Sequence, residues 1–329
     1  MAPSETAAAE MAERLAAIPG LQVERDIPLA RHTRFAIGGP ADVFVDARNP
    51  GSFLKAWSLV RRQQWPHTLI GGGTNLIVAD AGFRGVVLRY GASSIRVEGT
   101  RVSVESGAVL QDLVDQTIAH GLTGIETLAG IPGWVGGAVY GNAGAYGHSI
   151  SGGVREVDFT SGEGVRTFDN SQCEFRYRES LFKEHKEWTI LRTVLEMAPG
   201  DARALRKTAD EIVAVRNEKF PPTMKCAGSI FKNFLLAELA PAAAAQVPAR
   251  VIREGKVPAA YFLEQVGAKG TSLGGIRVAD YHANLVYNVG KGTAEELCAI
   301  IDDLKERVKV RFALELEEEV QYVGFPSSR

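Results

Sequence analysis

Apolar residues recur along the chain with two different periods, and the switches between them predict an α+β protein. Phe53, Leu54, Trp57 and Val60 fall at helical spacing, and the next apolar pair, Leu69 and Ile70, runs straight into Gly71-Gly72-Gly73. The order there is helix, strand, glycine turn. Ile95 and Val97, then Val102 and Val104, alternate on either side of Gly99-Thr100, the signature of a β-hairpin. Val109, Leu110, Leu113, Val114 and Ile118 return to helical spacing until Gly121 stops them. Strand patterns resume at 154–160, 164–168 and 188–197, so the middle of the chain is expected to rest on antiparallel strands.

At the two ends the same reasoning gives a short helix over 10–18, and a turn plus strand over 34–45 punctuated by Gly38, Gly39 and Pro40. A charged helix over 202–218 stops at Pro221-Pro222, which reads as a boundary between lobes. A helix follows over 259–266, and Thr293-x-x-Glu296 forms a capping box opening an amphipathic helix that runs to Val310. Residues 314–324 read as a strand. Fixed-period repeats are absent.

Composition narrows the class of function. With 329 residues and 45% apolar content the chain can build two or three cores. A formal charge of −2 supplies no long-range positive field, so a nucleic acid is not the expected partner and small molecules are. Three scattered cysteines, Cys173, Cys226 and Cys298, include no C-x-x-C pair and read as buried or incidental thiols in a reducing compartment. No His, Cys or carboxylate cluster has metal-ligand spacing, so no metal is expected. The N-terminal stretch lacks the basic end and apolar run of a signal peptide, and no run nears the roughly 18 apolar residues of a membrane span. A cytoplasmic protein, with no membrane partner, is the expectation.

Candidate chemistry centres on two glycine-dense turns, 70–80 and 130–147. Close approach of backbone N–H groups to a phosphate requires residues without a Cβ. The familiar nucleotide motifs do not fit: a dinucleotide fingerprint starting at Gly71 would need glycine where Leu76 stands, and no Gly-Lys pair is followed by Ser or Thr. The order of helices and hairpins around the turns also does not read as repeated parallel βαβ units.

Six segments occur together: Arg34-Phe-Ala-Ile-Gly-Gly-Pro-Ala-Asp42, Gly71-Gly-Gly-Thr-Asn-Leu76, Gly130-Ile-Pro-Gly-Trp-Val-Gly-Gly-Ala138, Asn142-Ala-Gly-Ala-Tyr-Gly147, Tyr177-Arg-Glu-Ser-Leu-Phe-Lys183 and Ala227-Gly-Ser-Ile-Phe-Lys-Asn233. In this order, with an acidic C-terminal strand, the chain resembles the UDP-N-acetylenolpyruvoylglucosamine reductase family from about Arg31 to Gly324. The resemblance implies an α+β fold with a PCMH-type FAD-binding lobe, as in vanillyl-alcohol oxidase, and a smaller α+β substrate domain. It divides the chain into an N-terminal helical segment 1–22, an FAD-binding domain 23–200, a substrate-binding domain 201–313 and a C-terminal strand 314–329. It further implies non-covalent FAD, NADPH as hydride donor, and reduction of the enolpyruvyl ether of a UDP-sugar to UDP-N-acetylmuramate, a peptidoglycan precursor. A monomer is the expected state.

By the same resemblance, Gly71, Gly72, Gly73, Thr74 and Asn75, with Gly130, Ile131, Pro132, Gly136, Gly137 and Ala138, would cradle the FAD pyrophosphate through backbone donors. Asn142 and Gly144 would line the flavin side. Reducing the ether requires a hydride at C3, a proton at C2 and stabilisation of the carboxylate between them, so the protein must supply an acid and a clamp. Ser229 would donate the proton, a weak acid suited to a strongly basic enediolate. Arg178 would place a planar, permanently charged fork on the carboxylate, with Tyr177 as a substrate contact. Glu319 would assist proton transfer. Strand alternation puts Glu315, Glu317 and Glu319 on one face, and Glu318, where the family has proline, should raise the local charge density. Lys232 and Asn233 resemble substrate contacts, with Phe234 in place of the usual proline, and His282 and Asn284 are candidates for binding the nucleotide. Two other readings compete: a related flavoprotein oxidase, and a nucleotide-binding protein without chemistry.

Overall fold

The computed structural model describes residues 5–326. The first four residues of the expected segment 1–22 and the last three of the expected segment 314–329 lie outside the described residues. Contacts divide the chain into two compact units, each discontinuous in sequence. One consists of the chain up to Ile27, Pro40–Gly73 and Phe83–Glu218; the other of Pro28–Gly39, Thr74–Gly82 and the chain from Lys219 onward. The units thus interleave, whereas the segments expected from the sequence run consecutively.

The first unit holds two cores. One packs the helix Pro50–Arg62 on a four-stranded sheet in the order Leu21–Pro28, Pro40–Ala47, Phe83–Tyr90, His67–Ile70. Asn49 caps that helix, accepting the Ser52 N–H at 2.8 Å, and Pro50 takes its first position, where a missing N–H costs nothing. Phe53, Trp57 and Val60 face Val43, Val45, Val86 and Leu88, all fully buried. Each such side chain contributes roughly 1.5–3 kcal/mol by leaving water. Pro40–Ala47 and His67–Ile70 both run parallel to Phe83–Tyr90; the first of the two parallel connections passes through the helix, and the second, over residues 71–82, has none.

The other core lies under a five-stranded antiparallel sheet in the order Arg166–Asp169, Val154–Thr160, Thr189–Glu196, Arg101–Glu105, Ile95–Glu98. The expected hairpin about Gly99-Thr100 is present, with Gly99 in the left-handed region at φ 62°. The helices Leu110–Ala119 and Val135–Tyr140 cover this core, and Leu205, Ala209 and Ile212 of the helix Ala202–Lys219 join it.

In the second unit the helices Ala259–Gln265 and Ala294–Phe312 pack on the strands Ile276–Ala279 and His282–Asn288. The Thr293/Glu296 capping box forms as expected, and the Asp80 carboxylate adds acceptors for the N–H groups of Ala294 and Glu295 at 2.9 and 3.0 Å.

Two expectations about element boundaries are corrected. The first helix spans Glu5–Ala16, because Ala8, Met11, Ala12 and Leu15 form its buried stripe and alanines extend it towards the N-terminus. The stretch 314–324 is not one strand: only Gln321–Val323 forms a ladder, parallel to Leu76–Val78. Upstream, Glu317 and Glu319 bond instead to the segment 230–232. The chain changes partners at Val320, so no continuous ladder can form.

Candidate active site

The first glycine turn is packed from one side and bare on the other. A Cβ at Gly72 would lie 3.1 Å from the Trp134 indole, whereas one at Gly71 would meet nothing within 4 Å. Trp134 is itself backed by the Arg89 guanidinium, 5.5 Å from its ring centroid, which Asp46 fixes through a 2.9 Å bond. In the second segment Gly136 packs inward, its Cβ position 2.7 Å from that of Ser106, while Gly137 opens outward with nothing within 4 Å. Bare backbone on a buttressed turn is what a pyrophosphate cradle requires, so these residues fit FAD.

Not every expected donor is available. The Gly130 N–H donates to Gln111 Oε1 at 2.8 Å, those of Ile131 and Gly136 to the carbonyls of Leu128 and Ser106, and that of Ala138 to Trp134. Pro132 has none. The backbones of these five do not supply donors to a ligand.

Arg178 sits at the tip of a two-residue turn closed by reciprocal 3.1 Å bonds between Arg176 and Glu179. Its φ of +59° is a conformation that favours glycine, so its backbone is strained and the surroundings hold it there. Asn142 donates from Nδ2 to the Arg176 carbonyl at 2.8 Å, the Arg178 guanidinium donates to the Gly144 carbonyl at 3.0 Å, and Lys183 Nζ donates to the Arg178 carbonyl at 3.1 Å. The Tyr177 ring lies 5.3 Å from the guanidinium carbon. Asn142 and Gly144, expected beside the flavin, are thus the supports of the arginine turn. Sequence reasoning missed this because the signal is a side chain bonding to a backbone 34 residues away.

Within the second unit, Ser229 begins a buried segment held on both sides. Ser229 bridges Leu285, and the Ile230 N–H donates to the Asn284 carbonyl at 3.1 Å. Asn284 grips the next peptide groups with its side chain, accepting from the Phe231 N–H at 2.9 Å and donating to the Phe231 carbonyl at 2.8 Å. Asn284, a candidate nucleotide contact from the sequence, has its side chain engaged in this clamp. On the opposite edge the Glu319 N–H donates to the Ile230 carbonyl at 2.7 Å and the Lys232 N–H to the Glu317 carbonyl at 2.9 Å. Ser229 and Glu319, 90 positions apart in the chain, therefore stand on neighbouring segments.

The acidic run is not a field of unpaired charge. Lys309 pairs with Glu315, Lys232 with Glu317, and Lys305 with Glu318. The higher charge density expected from Glu318 is thus offset by Lys305, and its carboxylate also accepts from the Tyr322 hydroxyl. Asn233 accepts the Ala259 N–H at 3.2 Å, and Phe234, in place of proline, pairs with Val257 and sets its ring 5.3 Å from Phe262. Burial and the Lys219 ammonium push His282 down to about 4, so it is a neutral imidazole near pH 7, with Nδ1 accepting the Asn284 N–H.

The three cysteines are buried and not disulfide-bonded. Among the described residues there is no group of His, Cys, Asp or Glu that could hold a metal, and no helix long and apolar enough to cross a membrane.

Comparison with known proteins bears on both units. Residues 41–166 match the FAD binding domain family, and residues 220–323 match the family described as UDP-N-acetylenolpyruvoylglucosamine reductase, C-terminal domain. The chain is 62% identical to the UDP-N-acetylenolpyruvoylglucosamine reductase of Solibacter usitatus, over 94% of its own length and 100% of the relative's. It is 32% identical to the enzyme of that name from Bacillus subtilis, over 90% of this chain and 92% of the other. The crystal structure of the Thermus caldophilus reductase superposes with a TM-score of 0.72 at 25% identity, covering 92% of this chain and 99% of that one.

Proposed function

The chain belongs to the UDP-N-acetylenolpyruvoylglucosamine reductase family, and we propose that in it Ser229, Glu319 and Arg178 carry out the proton-transfer and charge-stabilising part of the family's reaction. The protein is an FAD-containing, NADPH-dependent reductase that converts the enolpyruvyl ether of UDP-N-acetylglucosamine to UDP-N-acetylmuramate for peptidoglycan synthesis. FAD held at Gly71 to Gly73 would supply the hydride for C3 of the enolpyruvyl group, with NADPH as its source.

The remaining work falls to the protein. Negative charge builds on C2 and the carboxylate as C3 is reduced. The Arg178 guanidinium meets that charge, a contact that strengthens as the enediolate develops. Ser229 Oγ delivers a proton to C2, and Glu319 assists its replacement. The backbone of Gly71 to Gly73, buttressed by Trp134, binds the cofactor phosphates. Tyr177, Lys232, Asn233 and His282 border the substrate; the Lys232 ammonium would exchange Glu317 for a phosphate or carboxylate of similar charge.

One observation carries this reading: the 2.7 Å bond from the Glu319 N–H to the Ile230 carbonyl, which sets the two proposed proton-transfer groups on neighbouring segments. A monomer in the cytoplasm is the accompanying reading, and buried cysteines without a disulfide suit a reducing compartment.

The test is a pair of half-reactions. Purified protein should be yellow, be bleached by NADPH, and recover colour on addition of the enolpyruvyl UDP-sugar. In Ser229→Ala bleaching should proceed at the parental rate while recovery slows by roughly 10²–10⁴. Equal slowing of both halves would remove Ser229 from proton delivery. With NADPH and sugar using one cleft in turn, double-reciprocal plots should be parallel, and intersecting lines would exclude that order.

A further inference from the structure

Glu319 is held through both of its peptide groups. Its N–H donates to the Ile230 carbonyl at 2.7 Å, and its carbonyl accepts from Asn75 Nδ2 at 2.8 Å. Asn75 makes a second bond to the same stretch, its own carbonyl accepting the Gln321 N–H at 2.9 Å. Directly afterwards Leu76–Val78 enters its parallel ladder with Gln321–Val323. Asn75 therefore stands where the ladder ends, and its carboxamide replaces the backbone donor that the ladder no longer supplies.

From this we infer that Asn75 is a positioning residue for Glu319, fixing the backbone from which the carboxylate reaches the reacting centre; the inference rests on the proton-transfer role proposed for Glu319. The chemistry at position 75 must be that of a donor on a short side chain. Asparagine meets it, whereas aspartate would set an acceptor against an acceptor. The side-chain donor is committed to Glu319 and the carbonyl to Gln321, which leaves the N–H of residue 75 for the glycine turn. The segment bearing Glu319 is otherwise short of regular pairing, since it changes partners at Val320, so one lost bond frees it more than it would free an interior strand residue. A misplacement near 1 Å is enough to cost on the order of 10²-fold in rate.

The experiment uses the FAD-loaded enzyme and the variants Asn75→Asp, Asn75→Ala, Asn75→Gln, Glu319→Ala and the Asn75→Ala/Glu319→Ala pair. The expected result is that Asn75→Asp and Asn75→Ala are bleached by NADPH within about two-fold of the parent but recover with the enolpyruvyl sugar roughly 10–100-fold more slowly. The double variant should be no slower than Glu319→Ala, the non-additivity of two groups acting through one. Asn75→Gln, which keeps a donor, should recover part of the rate. In the FAD-free protein, amide hydrogen exchange at Val320 and Gln321 should quicken in Asn75→Ala, a readout independent of turnover. Slowing of bleaching equal to that of recovery, or loss of flavin with normal recovery in the loaded fraction, would overturn the proposal and make Asn75 a cofactor contact. Additive losses in the double variant would also overturn it. If Glu319→Ala recovers at the parental rate, the role of Glu319 and the inference fall together, an outcome distinct from the other two.

Discussion

The Asn142 carboxamide donates to the Arg176 carbonyl at 2.8 Å, two residues before the arginine whose backbone carries a φ of +59°. That bond, with those from Arg178 to Gly144 and from Lys183 to Arg178, pays the strain of a left-handed arginine. Replacing Arg178 by glycine should relax the backbone. Arg178→Gly should therefore unfold about 1 kcal/mol later than Arg178→Ala in urea, while both lose recovery of the flavin with substrate. Equal stability of the two variants would show that the turn is not strained.

The inward and outward glycines separate packing from ligand binding. Alanine at Gly136 must push Ser106 from 2.7 Å and should lower the melting temperature of the FAD-free protein. At Gly137, within the helix Val135–Tyr140, alanine has room and should stabilise the FAD-free protein by roughly 0.5–1 kcal/mol. The same methyl group projects where the cofactor is proposed to lie, so FAD affinity should fall. Thermal melts of the FAD-free form alongside flavin titrations check both; unchanged affinity in Gly137→Ala would move the cofactor away from that face.

Asn284 is 2% exposed and serves both polar groups of the Phe231 peptide unit. Asn284→Ala leaves a buried N–H and a buried carbonyl without it, at roughly 1–3 kcal/mol each. Chemical denaturation should show a loss of several kcal/mol. The loss should exceed that of Asn49→Ala, which removes a helix N-cap acceptor.

Protonation of His282 opposes folding. Its value is near 4 in the folded protein and 6.5 when unperturbed, so between these pH values the unfolded chain binds the extra proton. Stability is unaffected by this group above about 6.5 and falls as the pH drops towards 4, by at most about 3 kcal/mol. His282→Gln should narrow the difference in urea midpoint between pH 7.5 and pH 4.5. No narrowing would mean that the imidazole does not stay neutral in the folded state.

Features written in adjacent residues were legible in the sequence. Thr293 and Glu296 announce their own capping box, and Gly99-Thr100 marks a hairpin because the turn and both strands lie within a dozen residues. The glycine turns were legible as bare backbone, but which amides were already taken was not, since Gln111 and Ser106 approach from elsewhere in the chain. By resemblance Asn75, Asn142 and Asn284 are candidate ligand contacts. In the structure each has its side chain bonded to a backbone group 34 to 244 residues away, and no local pattern encodes such a partner. The acidic tail misled for the same reason: strand periodicity over 314–324 was real, but a strand is defined by its neighbour, and here the neighbour changes at Val320.

The pairing of Leu76–Val78 with Gln321–Val323 has a consequence during synthesis. Asn75 leaves the ribosome 244 residues before Glu319. At about 5–20 residues per second, that is roughly 12 to 50 s in which Ile77 and Val78 have no edge to pair with. Pro28–Gly39 waits alongside it, for Phe35 and Ile37 also belong to a core completed by the last third of the chain. The nascent protein thus carries two sticky, unpaired stretches through most of its own translation, and an amino-terminal fragment ending before the final strand should depend on chaperones to stay in solution.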